Sequence, residues 1–474
     1  MSVRAISSLF GMEPRGAAHS QNASFWRIMS AITSSLTEWQ KKKLCSLFSH
    51  ASFSLLFKAS VHGYHLTTFH QKCNIQGPTV IVAYNKSGYV FGAFTSKNFG
   101  QTSQNIVDDK AFLFSFNDKE MKEDPLRVFS GNPQFAFTDN GPNFGSLVFL
   151  YNNTTTVRSI PAGAYRFDPQ KMHGNDLYLT ECEVYRVEEC GGLMEKPWRN
   201  VQWNPEIRKA LLSFISGWKP SVSSVKQARV LLVGPVGAGK SSFFNSINSV
   251  FKGYVSGQAN TGTAGTSLTT QFRTYYIRPG SGVSHVPFAL CDSMGLEEGL
   301  NSGLDVEDFY SILKGHIQDK YQFNPSMPIQ EDSPHYCKSP GLKDKIHCVV
   351  FVIDTSKVKL LSDKIIEKFV VFRRRANQLC IPQLVLLTKV DEACPIVAED
   401  LKNVYQSHYI NKMVQEVSAQ LGVSLSAVIP VKNYYQELEI DPQTDILLLN
   451  AVVQILRATG GFFDDFYNPE EKSE

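Results

Sequence analysis

The stretch Gly234-Pro235-Val236-Gly237-Ala238-Gly239-Lys240-Ser241 decides how the second half of this 474-residue chain is interpreted. These eight residues match the phosphate-loop pattern G-x-x-x-x-G-K-[ST] at every fixed position. The apolar run 229–233 before them is typical of a buried parallel strand, and residues 240–251 after them have the apolar spacing of a helix. The sequence therefore predicts a strand, a glycine-rich turn and a helix, which is the context that gives the motif its meaning.

Each part of this loop has a predicted task. The glycines permit backbone conformations that other residues avoid, so successive N–H groups point inward and form an anion cradle. Lys240 is expected to reach the β and γ phosphates, and the Ser241 hydroxyl is expected to bind Mg²⁺. The residues predicted to hold a nucleoside triphosphate here are Gly234, Pro235, Val236, Gly237, Ala238, Gly239, Lys240, Ser241 and Ser242.

A second apolar run, residues 286–291, ends in Asp292-Ser293-Met294-Gly295. A strand that leads into an acidic residue near the phosphates is how phosphate-loop proteins hold Mg²⁺, so Asp292 is the predicted metal-side carboxylate. Gly295 is predicted to donate its N–H to a γ-phosphate. Between the two motifs lies a polar stretch in which a switch threonine would bind Mg²⁺, and we favour Thr266, with Thr269 and Thr270 left open.

The third motif, Thr388-Lys389-Val390-Asp391, follows the apolar run 384–387 and predicts guanine. A carboxylate at Asp391 accepts two hydrogen bonds from guanine, and the Lys389 stem would cover the ring, whereas adenine would leave Asp391 unpaired. A later strand and turn, residues 427–433, provides Lys432 and Asn433 as further candidates for contact with the base. The cofactors predicted from these motifs are GTP and Mg²⁺.

Hydrolysis is predicted to be slow, because Leu296 occupies the position at which small signalling GTPases place a water-orienting Gln. Backbone groups, Arg273 or a second copy of the chain remain possible sources of help, although an ordinary strand arginine is the preferred interpretation of Arg273. The catalytic residues are therefore unknown from sequence.

The order of motifs and strands predicts an α/β fold, with an open, mainly parallel sheet and helices on both faces. The first half has a different character. Short alternating runs at 79–84, 88–94, 111–116 and 147–151 predict a mainly antiparallel sheet. His62, His65, His70 and His173 lack the spacing of metal ligands.

Composition narrows the functional classes. A formal net charge of +3 gives no case for nucleic acid, and the nine cysteines, an odd number without a C-x-x-C pair, suit reduced thiols in the cytosol. No stretch is expected to approach the length of a membrane span. We predict a flexible extension at 1–28, a first domain at 29–188, a helical connector and hinge at 189–227, a nucleotide domain at 228–460 and an acidic tail at 461–474. A helix is predicted from Met29 to Phe48, and another from Asp445 that stops at Gly460-Gly461.

Two resemblances together cover nearly the whole chain. The segment Gly88–Phe94, the strand Ala111–Phe116 and the closing run Glu181–Tyr185 resemble the TLDc domain. Joined to a G domain with Val233–Ser246, and with the runs Lys320–Asn324 and Leu342–Val349, the architecture resembles the interferon-induced protein 44 family. The resemblance implies a cytoplasmic, interferon-inducible protein of the innate antiviral response that binds GTP through Gly234–Ser241.

Two functions from different classes follow. The first is a GTP-controlled effector whose nucleotide state changes contacts with itself or with protein partners. The second is a scaffold in which the nucleotide is structural and is not hydrolysed. An ATP-using enzyme is opposed by Asp391.

Overall fold

The structure is a computed structural model, and it describes residues 33–48, 51–101, 104–118, 123–131, 137–138, 141–259, 269–280, 285–299, 302–324 and 326–466. The predicted extension 1–28 and the favoured switch residue Thr266 therefore lie outside the described residues.

The first part of the chain forms an antiparallel six-stranded sheet, in the order β1-β10-β2-β3-β5-β6, with two small two-stranded pairs, β4-β7 and β8-β9. Its elements are α1 (Glu38–Cys45), β1 (Ala51–Lys58), α2 (Ala59–His62), α3 (Leu66–Cys73), β2 (Thr79–Asn85), β3 (Tyr89–Thr95), β4 (Asn105–Ile106), β5 (Phe112–Asn117), β6 (Leu126–Phe129), β7 (Phe137–Thr138), β8 (Leu147–Val148), β9 (Arg158–Ser159), α4 (Pro169–His173) and β10 (Leu179–Glu189).

Both faces of this first sheet are covered. Along β2, Val80 and Val82 belong to one apolar cluster, while Ile81 and Ala83 belong to another on the opposite face. Because side chains alternate across a strand, a sheet buried on both sides needs apolar residues at successive positions. This explains why the strands of the first half contain nearly continuous apolar runs.

Two boundaries predicted in this part were wrong. The strand expected at 147–151 ends at Val148 and gives way to a short 3₁₀ turn, Tyr151–Asn153, because Leu150 and Asn152 adopt left-handed backbone conformations. Within the described residues, the first helix begins only at Glu38, where Thr37 caps it and Gln40 completes a reciprocal capping box.

The second part forms a six-stranded sheet in the order β12-β13-β11-β14-β15-β16, parallel except for the edge strand β12. Its elements are α5 (Pro205–Gly217), β11 (Ala228–Val233), α6 (Lys240–Lys252), β12 (Arg273–Tyr276), β13 (Phe288–Asp292), α7 (Val306–Lys314), β14 (Cys348–Asp354), α8 (Asp363–Gln378), β15 (Gln383–Thr388), α9 (Val390–Ala393), α10 (Pro395–Glu399), α11 (His408–Leu421), β16 (Val428–Pro430) and α12 (Pro442–Asp464), with 3₁₀ segments at Leu342–Asp344, Thr355–Leu360, Leu401–Tyr405 and Leu425–Ala427. The predicted α/β fold with a mainly parallel sheet is confirmed, and the carboxyl ends of β11, β13, β14 and β15 meet at one edge.

The segment between the two sheets packs against the second one. Its helix α5 begins at the Asn204 cap, and Arg208 forms an ion pair of 2.6 Å with Asp445 of α12. The Trp218 ring lies 6.4 Å from that of Phe463. The connector is therefore helical, as predicted, and it lies along α12, while the domain boundaries themselves stay predictions.

The long helix α12 corrects two expectations. It continues through Gly460 and Gly461 to Asp464, because Phe462 and Phe463 beyond the glycines are buried and pack on the imidazole of His347. Among the described residues it is also the one helix long and apolar enough to cross a membrane, with a mean hydropathy of 1.6. Since 67% of that apolar window is buried inside the protein, a place in the core accounts for its composition.

Candidate functional site

The phosphate loop joins β11 to α6 and needs its glycines for two physical reasons. Gly237 and Gly239 have φ angles of +75° and +93°, a region that favours glycine. Gly234 has an ordinary conformation, but a Cβ there would lie 2.0 Å from the backbone oxygen of Val352 on β14. The loop therefore passes so close to the neighbouring strand that no side chain fits at its first position.

Lys240 is folded back over the loop. Its Nζ donates to the carbonyl oxygens of Gly234 and Pro235, at 2.9 and 3.0 Å, and the residue is 7% exposed. Burial lowers the pKa of Lys240, and the carboxylate of Asp292 opposes that shift. Both carbonyl partners are neutral, so the ammonium keeps a charge that an incoming phosphate would neutralise.

The predicted metal side is assembled from the first turn of α6, the end of β13 and the segment before β12. The Ser241 hydroxyl donates to Oδ2 of Asp292 at 2.6 Å, and the Thr269 hydroxyl lies 3.4 Å from both groups. Asp292 is fully buried, its Oδ1 has no hydrogen-bond partner among the described residues, and burial raises its pKa. A hydroxyl and a carboxylate with an unused oxygen are ligands that suit Mg²⁺ when phosphate oxygens and water complete the shell.

The structure also bears on which switch threonine approaches this site. Thr269, one of the alternatives left open, reaches the Ser241–Asp292 pair, whereas the favoured Thr266 lies outside the described residues. Nowhere in the described ranges do three or more His, Cys, Asp or Glu side chains form a metal-binding group.

The segment after Asp292 is attached to the phosphate loop by its backbone. The N–H of Leu296 donates to the Gly234 oxygen at 3.0 Å, and the N–H of Val236 donates to the Leu296 oxygen at 3.4 Å. A Cβ on Gly295 would lie 2.7 Å from the Val236 side chain. Gly295 is thus placed beside the loop, as its predicted role requires.

Leu296 is 2% exposed and belongs to the apolar core of the second domain. Its side chain therefore packs in the core, and as an apolar group it has no atom that could hydrogen-bond a water. Arg273, the other candidate for assistance, pairs with Asp319 at 3.6 Å and lies over the ring of Tyr275. These contacts are those of an ordinary strand arginine, which is the preferred interpretation of Arg273.

Lys368, which is not among the residues predicted from the sequence, holds the loop after Leu296. From α8, its Nζ donates to three backbone oxygens, those of Glu297, Gly299 and Ser302, at 2.5, 3.3 and 3.2 Å. A single lysine in a helical pattern carries no signal of such a role, because the acceptors come from a distant loop.

The predicted guanine motif lies directly beside the phosphate loop. The Thr388 hydroxyl at the end of β15 donates to the Ala238 oxygen at 2.7 Å, and the Asn433 amide donates to the Gly239 oxygen at 3.2 Å. The side-chain oxygen of Asn433, Oδ1, is buried and has no hydrogen-bond partner among the described residues. Residues about 150 and 190 positions apart in sequence therefore meet on one loop.

The Asp391 carboxylate and the Lys432 ammonium interact electrostatically. Burial raises the pKa of Asp391, and the Lys432 ammonium opposes that rise. Lys432 also pairs with Glu437 at 2.8 Å, and although burial alone would raise the pKa of Glu437, this hydrogen bond lowers it to about 2. The arrangement brings together a carboxylate and a lysine that are both predicted from the sequence to contact a base.

Lys389 has a partner that the motif does not include. Its Nζ lies 3.2 Å from Oδ2 of Asp354, at the end of β14, and 3.6 Å from Glu392. Burial alone would lower the pKa of Lys389, but these two carboxylates raise it. Asp354 is not among the residues predicted from the sequence. Its position at the end of an apolar strand is the signal that could have identified it, because ligands bind at the carboxyl ends of such strands.

An open sheet of this order, with a glycine loop between its central strand and the next helix, is that of a phosphate-loop G domain, preceded here by a mostly antiparallel domain. The TLDc domain family matches residues 29–188. Interferon-induced protein 44 of Homo sapiens is 35% identical over 439 residues, covering 92% of this chain and 95% of that one. Interferon-induced protein 44-like of Homo sapiens is 33% identical over 441 residues, covering 92% and 96%. The chain therefore belongs to the interferon-induced protein 44 family.

One further comparison concerns a solved structure, described as a complex of SsGBP and GDP. It is 16% identical to this chain, covers 54% of it and 57% of its own length, and has a TM-score of 0.26. With so low a TM-score, this similarity supports no conclusion about this protein.

Proposed function

We propose that this protein is a cytoplasmic guanine-nucleotide-binding effector of the interferon-induced antiviral response. In this proposal GTP and Mg²⁺ bind at the edge where the phosphate loop, Asp292 and the 388–391 motif meet. The observation that carries it is the Thr388–Ala238 hydrogen bond, which puts the predicted phosphate and base regions side by side. A ligand that joins a triphosphate to guanine spans such a pair of regions.

The test of the base assignment is a change of nucleotide preference. Calorimetry with Mg²⁺ is expected to show tighter binding of GTP than of ATP, because adenine leaves the Asp391 carboxylate without donors. Asp391→Asn is expected to weaken GTP by about 100-fold or more and to admit xanthosine triphosphate, whose base presents an acceptor in place of the amine.

Glu399→Gln on α10 is the matched control, because it removes an exposed carboxylate eight residues along the chain. It should leave both affinities at the parent values. Equal affinity of the parent protein for GTP and ATP, or unchanged GTP affinity in Asp391→Asn, would show that the base assignment is wrong.

The buried position of Leu296 supports slow or assisted hydrolysis. With no side chain there to orient water, phosphate release from the purified protein is expected to be slow. Release at rates typical of enzymes, on the order of 1 s⁻¹ or faster, would contradict this part of the proposal.

A second candidate function is a scaffold that binds nucleotide without switching, and the Lys368 contacts favour it. A loop held by three hydrogen bonds to one ammonium is less free to rearrange with the γ-phosphate. Particle size measured by light scattering with GTP and with GDP separates the two: a nucleotide-dependent change supports the effector, and identical sizes with bound nucleotide support the scaffold.

The cellular part of the proposal is supported by the membership of this family and by the cysteines. All nine cysteines are free and six of them are buried, which suits a reducing compartment. The expected result is a rise in transcript and protein after interferon treatment, with the protein in the cytoplasmic fraction. Absence of induction would overturn the interferon assignment.

A further inference from the structure

The first domain touches the second at a short segment that directly follows β14. This segment is the 3₁₀ turn Thr355–Leu360. The Ser54 hydroxyl on β1 donates to the Ser356 oxygen at 2.9 Å, and Lys359 forms an ion pair of 2.8 Å with Glu188 on β10. The paired strands β1 and β10 of the first sheet therefore hold this turn from one side.

Glu188 is the centre of this contact. It is 8% exposed and pairs with Arg186 at 3.1 Å, within its own strand, as well as with Lys359. The Tyr409 hydroxyl of α11 also donates to its Oε2 at 2.9 Å. A buried carboxylate is stable only when such partners remain in place, so removing the partner from the second domain should disturb the contact.

The other end of the same turn reaches the predicted base site. Asp354, 4% exposed, pairs through Oδ2 with Lys389, while its Oδ1 accepts from the N–H and hydroxyl of Ser356 at 3.0 and 2.6 Å. The Thr355 hydroxyl donates to the Thr388 oxygen at 2.6 Å. Three consecutive residues thus connect the first domain to two residues of the 388–391 motif.

The backbone and side chain of Lys389 both need a partner such as Asp354 to hold them in place. Its backbone is in the left-handed region, with φ of +57°, which a residue with a side chain adopts at some energetic cost. Its side chain also has several rotatable bonds, and only a fixed ammonium would keep the stem flat against a base. Asp354 supplies the fixed point, and Ser356 orients the Asp354 carboxylate.

We propose that Asp354 is a positioning residue for guanine and that the TLDc domain holds it in place through Ser54 and Glu188, so that guanine binding and docking of the two domains stabilise each other. This inference rests on the proposed guanine-nucleotide binding. By thermodynamic reciprocity, the factor by which docking of the domains tightens guanine binding equals the factor by which bound guanine tightens the docking.

The first experiment measures affinity by calorimetry for two probes, GTP and inorganic tripolyphosphate, the second of which contacts only the phosphate loop. Lys359→Met removes the charge that meets Glu188 and keeps the apolar stem. It is expected to weaken GTP by about fivefold, the lower end of ordinary coupling between sites, and to leave tripolyphosphate unchanged. Lys359→Arg is expected to restore GTP binding.

Asp354→Asn tests the same path from the other end and should weaken GTP at least as much as Lys359→Met, again without affecting tripolyphosphate. The control is Arg375→Met, which removes an ion pair of 2.7 Å between α8 and Glu307, away from the base. It should leave both affinities unchanged.

Hydrogen exchange gives the reciprocal measurement. GDP with Mg²⁺ should slow amide exchange in β1 and β10 of the parent protein, and much less in Lys359→Met. If the parent protein fails to bind GTP, the proposed function falls and this inference with it. If the parent binds GTP but Lys359→Met and Asp354→Asn bind equally well, or if tripolyphosphate is lost in parallel with GTP, the positioning role is refuted while the proposed function stands.

Discussion

Thr388→Val tests whether the phosphate loop and the 388–391 motif form one site. The substitution removes a single hydroxyl and keeps the shape of the side chain. That hydroxyl is buried, donates to the Ala238 oxygen at 2.7 Å, and lies 3.3 Å from the Ile353 oxygen. Without it, the Ala238 carbonyl loses a donor at a point where water has little access.

The expected magnitude follows from this geometry. A net hydrogen bond contributes about 1 kcal/mol, and an acceptor left buried without a partner costs about 1–3 kcal/mol. We expect the free energy of unfolding to fall by about 1–2 kcal/mol. Because the loop must keep its shape to cradle phosphate, GTP affinity should fall by about tenfold, which corresponds to 1.4 kcal/mol.

Urea denaturation gives the first quantity and calorimetry with GTP gives the second. Thr459→Val is the matched control, since this hydroxyl is equally buried but donates to the Ile455 oxygen, one turn earlier in α12. That carbonyl lies in a helix interior, where the backbone supplies its own donor, so we expect a change within about 0.5 kcal/mol and no loss of affinity. If Thr388→Val unfolds at the same urea concentration as the parent and binds GTP equally well, the bond does not join the two regions.

Three further predictions concern stability and loop motion. Gly234→Ala should lower the free energy of unfolding in urea by about 3 kcal/mol or more, because its Cβ would meet a backbone oxygen at 2.0 Å. Gly460→Ala, in open space inside a helix, should leave this free energy unchanged or raise it by about 0.5–1 kcal/mol. Equal effects of the two substitutions would contradict the packing argument. Burial raises the pKa of Asp308 to about 6, so the folded protein holds a proton that the unfolded chain releases near pH 4, and stability should decline as pH rises from about 4 to 6. Asp308→Asn should then exceed the parent by up to about 3 kcal/mol at pH 7.5 and match it near pH 3.5 in thermal unfolding, and a difference independent of pH would refute this. Lys368→Met should speed amide exchange in residues 296–304, and unchanged exchange there would show that its three hydrogen bonds do not restrain the loop.

The elements predicted from the sequence agree best with the structure where the prediction rests on a local pattern. The helix predicted from Lys240 begins at that residue, and the apolar runs 229–233 and 384–387 lie within β11 and β15. Hydrophobic periodicity and caps act within a few residues, so the neighbouring sequence contains the information. The same local rules failed at Gly460-Gly461, where two glycines predicted a helix stop but burial of the next two phenylalanines maintains the helix.

The residues of the candidate site show the same difference between short local patterns and contacts with distant parts of the chain. Its motif residues, Lys240, Ser241, Asp292 and Asp391, were found from spacing alone, because their chemistry depends on short fixed patterns. Asp354 and Lys368 were not found, since each acts on a partner from another part of the chain.

The sequence by itself determined the strand-loop-helix unit, the parallel sheet and the residue types that suit phosphate, Mg²⁺ and guanine, because each is encoded by residues close together in the chain. Only the tertiary structure decided that Thr388 contacts the phosphate loop, that Thr269 reaches the Ser241–Asp292 pair, and that the first domain lies against the turn after Asp354. These contacts join residues from about 20 to 300 positions apart. Side chains so distant meet only when the packing of two sheets and their helices brings them together, and no local pattern records that outcome.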